Sequence, residues 1–240
     1  MKYSTYSLAF LMCLFLSHMG QVRADKDKRL AQISASQLQQ AIAQTPLESP
    51  VQQQLLSRAR HSHLMGVAYT QYTDLCRRQP NNPSANLLRG VSAEYLQSDS
   101  MEPELKKLYE PYARGDLFSV AASCLARAVK LAPNSSAANL EAGFFFWQFG
   151  NDLPRGLSLL KKSLQLAPDN PRIHAMWGDV YANPEGRSYD LGKAVDHLET
   201  AINLEPTYAF PHELLASVYS RLGSSAKAAQ EMSKYQSLLP

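Results

Sequence analysis

With 240 residues, 24 Lys and Arg against 21 Asp and Glu, and 45% apolar residues, the chain is long enough to bury one sizeable core. Its near-neutral balance gives no argument for nucleic acid or an anionic membrane as partner.

Met1 to Ala24 opens with Lys2, runs apolar from Leu8 to Leu16 and ends on Val22-Arg23-Ala24, the pattern of a secretory signal peptide. The run is shorter than the ~18 residues a bilayer span needs, so we expect a cleaved leader and a periplasmic or secreted product. Cys13 follows Phe10, Leu11 and Met12, which is not a lipoprotein box. Removing residues 1–24 deletes Lys2 and Arg23 and no acid, leaving the mature chain closer to neutral.

Asp25 to Gln44 is Gln-rich and has an amphipathic helical pattern through Leu30, Ile33, Leu38 and Ile42, with a frayed leader as the alternative. Pro46 and Pro50 break the chain, and Val51 to Arg78 reads as one long helical pattern without an internal turn. Pro83 to Leu96 is the next helix. Gln97 to Gly115 is an insertion, expected to hold a short extra helix through Leu105, Leu108 and Tyr112.

From Ala121 onward one frame is written three times: small residue, large apolar residue four later, small residue three later, proline five beyond. The copies are Ala121, Leu125, Ala128, Pro133; Gly156, Leu160, Ser163, Pro168; and Ala194, Leu198, Ala201, Pro206. Looser copies stand at Ala68, Tyr72, Leu75, Pro80 and at Ala228, Met232, Tyr235, Pro240. Ten residues after a frame proline comes another small residue, Gly90, Gly143, Gly178 or Ala216, with an aromatic three later at Phe146, Tyr181 and Tyr219. These spacings define two helices per unit, with small residues where backbones approach and a proline that ends the second helix. Asn183 to Gly192 lengthens one turn. The last helix carries Lys227, Gln230, Glu231, Lys234 and Gln236 as an expected polar outer surface that caps the stack.

Gly178, Tyr181, Ala194, Leu198, Ala201 and Pro206 resemble the tetratricopeptide repeat (TPR) nearly as its pattern stands, and the resemblance covers 83–240, with a looser copy over 51–80. It implies an all-α, right-handed α-solenoid of stacked antiparallel helix pairs, about four repeats plus N-terminal helices. The expected organisation is a signal peptide at 1–24, N-terminal helices with a degenerate half-repeat at 25–82, and the solenoid at 83–240. In this family one side of the first helices lines a concave groove. By that correspondence the partner-binding residues are Leu87, Val91, Leu140, Phe144, Trp147, Arg172, Asp179, Ser217 and Arg221. The Lys, Asn and Arg clamp with which better-known members grip a terminal carboxylate is absent: Leu87, Leu140, Glu141, Met176 and Leu214 stand there.

No nucleophile elbow, Cys-His motif, His-Glu-x-x-His pair or phosphate-cradling glycine loop is present, so no enzyme, cofactor or metal site is expected. Cys76 and Cys124 are expected as two buried thiols rather than a bond. His61 and His63 point to different sides of a helix and share no metal. His174 and His212 occupy the place held by Asn86 and Asn139 in earlier units, where hydrogen bonding between helices is the expected role. The function read from this pattern is an exported scaffold that holds a protein or peptide segment in its groove. A periplasmic carrier of a lipid or small molecule is the alternative.

Overall fold

The structure, a computed structural model, describes residues 33–49, 51–100, 111, 115–149, 152–184, 186 and 188–238. The leader, Cys13 and most of the 97–115 insertion lie outside the described residues. Eleven helices and no strand are present among those described, an all-α helical-repeat fold. Contacts divide the chain into two compact units, Met1–Pro133 and Asn134–Pro240.

In the first unit, α1 (Ala35–Gln44) begins at a capping box: Ser34 Oγ accepts the Gln37 N–H at 3.3 Å while Gln37 Oε1 accepts the Ser34 N–H at 2.9 Å. Its apolar side buries Leu38 and Ile42. The single helix expected over 51–78 is in fact two, α2 (Val51–His61) and α3 (Met65–Arg78). His63 takes a left-handed φ of 54°, and the Leu64 N–H returns to the Ala59 carbonyl at 2.7 Å, closing α2. A glycine usually holds that position; a histidine leaves no mark in the sequence. Tyr72 then ties three helices together, donating to Gln52 Oε1 at 2.9 Å, while Gln52 Nε2 donates to the Ile42 and Thr45 carbonyls.

The helices α4 (Pro83–Ser100) and α5 (Leu117–Leu131) complete this unit. Gly90 faces Leu125 so closely that a Cβ there would lie 2.8 Å from Leu125 Cγ. Arg127 of α5 donates to the Pro80 carbonyl at 3.1 Å and to Asn81 Oδ1 at 2.9 Å, fixing the turn between α3 and α4.

The second unit holds α6 (Ser136–Gln148), α7 (Leu153–Leu166), α8 (Pro171–Ala182), α9 (Leu191–Leu204), α10 (Ala209–Arg221) and α11 (Ser225–Leu238). They form the pairs α6–α7, α8–α9 and α10–α11, and α9 and α8 also meet α10. Side chains of Ser135, Asp152, Asn170 and Asp190 accept backbone N–H groups and start four of these helices. At the α6–α7 and α8–α9 seams a first-helix glycine meets the frame leucine of the second helix. A Cβ on Gly143 would lie 2.8 Å from the Leu160 backbone nitrogen, and one on Gly178 would lie 2.5 Å from Leu198. Gly156 of α7 answers from the other side, where a Cβ would stand 2.4 Å from the Trp147 backbone nitrogen. Leu125, Leu160 and Leu198 are fully buried, and each contributes about 1.5–3 kcal/mol by leaving water.

Candidate functional site

The first helices of the second unit bring together most of the residues expected to meet a partner. On α6, Leu140 is buried while Phe144 and Trp147 are half-buried, their rings 5.8 Å apart. Phe144, Trp147 and Met176 pack against a core cluster that includes Leu160, Ile173 and Val180. Each aromatic is therefore anchored on the core and retains some surface. Their neighbours Phe145 and Phe146 are buried, and the Arg155 guanidinium lies 3.9 Å over the Phe146 ring.

On α8, Asn170 caps the helix and Pro171 occupies its first turn, which sets the register of the side chains that follow. Arg172 Nη1 reaches Glu141 Oε1 at 2.6 Å and joins α8 to α6. Two turns along, Asp179 is half-buried. Burial pushes its carboxyl up to about 6, and no donor or cation among the described residues offsets it. On α10, Ser217 and Arg221 are exposed and Glu213 is buried. Arg221 donates to the Ala182 carbonyl at the C-terminal end of α8, a favourable place for a cation, and its guanidinium lies 5.1 Å over the Tyr189 ring. Leu87 and Val91 belong to the first unit, Leu87 half-buried and Val91 buried.

The histidine row is structural. His174 Nε2 lies 2.7 Å from the Pro168 carbonyl, which can only accept, so this nitrogen carries the hydrogen. The His174 Nδ1 is then an acceptor for His197 Nδ1–H at 3.1 Å, linking α8 to α9. His197 stacks on Tyr181 and Trp177, and burial, then His174, hold its imidazole below the ordinary value. Asn86 treats its own frame proline alike, donating to the Pro80 carbonyl at 3.1 Å. Asn139 donates to the Ser135 carbonyl at 2.7 Å. His212 instead bonds Glu231 Oε2 at 2.6 Å, and Lys234 Nζ lies 2.9 Å from Glu231 Oε1. This corrects the expectation for Glu231: it is buried between α10 and α11 and forms no part of a polar outer surface. His197 and Glu231 carry no sequence signal for their pairing with His174 and His212, because each of these histidines lies on another helix.

Cys76 and Cys124 are free and buried, and burial pushes the Cys76 thiol up to about 11. Among the described residues no three His, Cys, Asp or Glu side chains gather to hold a metal, and no helix is long and apolar enough to cross a membrane.

No family model matches the chain. Over 92 residues it is 32% identical to the TPR repeat-containing thioredoxin TTL4 of Arabidopsis thaliana; the match spans 38% of this chain but only 13% of that relative. Among solved structures, the thermophilic TPR protein TTC0263 of Thermus thermophilus superposes with a TM-score of 0.55 at 18% identity, covering 88% of this chain and 95% of that one. MamA from Desulfovibrio magneticus RS-1, residues 41 to the end, gives 0.50 at 19% identity over 78% and 93% of the two chains. At these identities the likeness is one of fold.

Proposed function

We propose that this chain, which has the helical-repeat fold of tetratricopeptide-repeat proteins, is a protein-interaction scaffold that holds a partner segment against the α6, α8 and α10 face. The observation that carries this reading is the placement of Phe144 and Trp147 on α6 and Met176 on α8, half-buried on one core cluster, with Arg172 and Asp179 also on α8. Anchored aromatics beside charged groups are the side chains that most often dominate protein contacts. The leader-like residues 1–24 support export, so the partner belongs to the envelope or the medium.

The test is to recover tagged protein from its own envelope fraction, together with a Ser217→Trp variant. Ser217 is exposed, so an indole there crowds the face without entering the core. We expect a recovered mass that begins at Asp25 and cross-linked protein partners that the variant no longer captures. Identical partners on both proteins, or a bound lipid with no protein partner, would overturn the reading.

A further inference from the structure

The cations of the α6, α8 and α10 face are already engaged. Arg172 is held by Glu141 at 2.6 Å, and Arg221 is spent on the Ala182 carbonyl and the Tyr189 ring. Asp179 is left without a counter-charge among the described residues, on the same helix as both Arg172 and Met176. Spacings of four and three place Arg172, Met176 and Asp179 on one side of α8. Met176 packs against the same core cluster as Phe144 and Trp147. A half-buried carboxylate given no donor carries part of the desolvation cost of a buried charge, and a cation brought in from outside removes it.

We propose that the segment docking on this face seats a lysine or arginine on Asp179, the aliphatic stem lying along Met176. The inference rests on the reading that this face takes a protein segment. A long cationic side chain suits the place in both its parts, because its stem covers apolar surface while its head meets the carboxylate. A carboxylate-ended or acidic segment does not fit, since it would meet Asp179 as a like charge.

Random peptides displayed on phage, selected on the full chain, on Asp179→Asn and on Ser217→Trp, test this. Wild-type selection is expected to enrich Lys or Arg at one fixed position, and the Asp179→Asn selection to lose that preference. A synthetic winner whose lysine is replaced by norleucine should bind the wild type about tenfold more weakly and Asp179→Asn less than about twofold more weakly. Its affinity for the wild type should also fall as pH drops below about 6, where the free carboxyl protonates, and hold more nearly level on the Asn variant. The Arg172–Glu141 pair, Glu213, Arg221 and the His174–His197 pair are common to both proteins, so their titration cancels in the comparison. Winners without a cation that still need the open Ser217 face would sink the Asp179 site and leave the docking face standing. Winners indifferent to Ser217→Trp, or no winners at all, would sink both.

Discussion

Glu231 on α11 and Asp179 on α8 are carboxylates drawn from water within one unit, and their surroundings are opposite. Glu231 is met by His212 and Lys234, and their hydrogen bonds hold its carboxyl below the ordinary value although burial opposes this. Among the described residues Asp179 meets neither a donor nor a cation, and burial alone raises it. A buried charge with partners belongs to the fold, since removing a partner would strand the other group. One without partners adds nothing to the fold at neutral pH, and this points to something that arrives later.

The contrast can be broken at three places. Replacing Glu231 by Ala strips His212 of its buried acceptor and should cost about 2–3 kcal/mol in denaturant unfolding at neutral pH. Because the Glu231 carboxyl is depressed in the folded state, its contribution is present above the ordinary carboxylate range. That contribution disappears as pH falls through the folded value, so wild type and variant should converge in acid. Replacing Arg172 by Ala turns Glu141 into a second unpaired carboxylate; with the arginine side chain 38% exposed, we expect a loss of roughly 1 kcal/mol after screening. Asp179→Asn should act the other way, raising stability at pH 7 by about 1 kcal/mol once the roughly 3 kcal/mol that the shift implies is discounted for the partial exposure of Asp179. Its sign follows from a raised folded value: the penalty is absent below about 4, grows as pH climbs, and is complete above about 6. Thermal melts at pH 4 and pH 7 check it, and a gain that persists at pH 4 would remove the carboxylate from the explanation.

The seams were legible because they depend on size at fixed spacing. Gly90, Gly143 and Gly178 stand opposite Leu125, Leu160 and Leu198, and a small residue facing a large one repeats in the sequence as it does in space. The end of α2 was not legible, since the left-handed position that usually shows a glycine is filled by His63. Nor was the inward turn of Glu231, because a charged residue on a terminal helix looks the same whether it faces water or a histidine on the preceding helix. At the candidate site, register alone placed Phe144, Trp147, Arg172, Asp179 and Arg221 on first helices. Only distances separated the two engaged arginines from the unaccompanied aspartate.

The glycine–leucine seams also bear on how quickly the chain finds its structure. Gly143 meets Leu160 and Gly178 meets Leu198 at shorter sequence separations than Gly90 meets Leu125, so these pairs close with less loop-closure entropy. Gly90 and Leu125 stand farther apart in the sequence, so their seam joins more distant segments of the chain. That seam therefore forms against a larger entropic barrier, and the α4–α5 pair is the natural late step in folding.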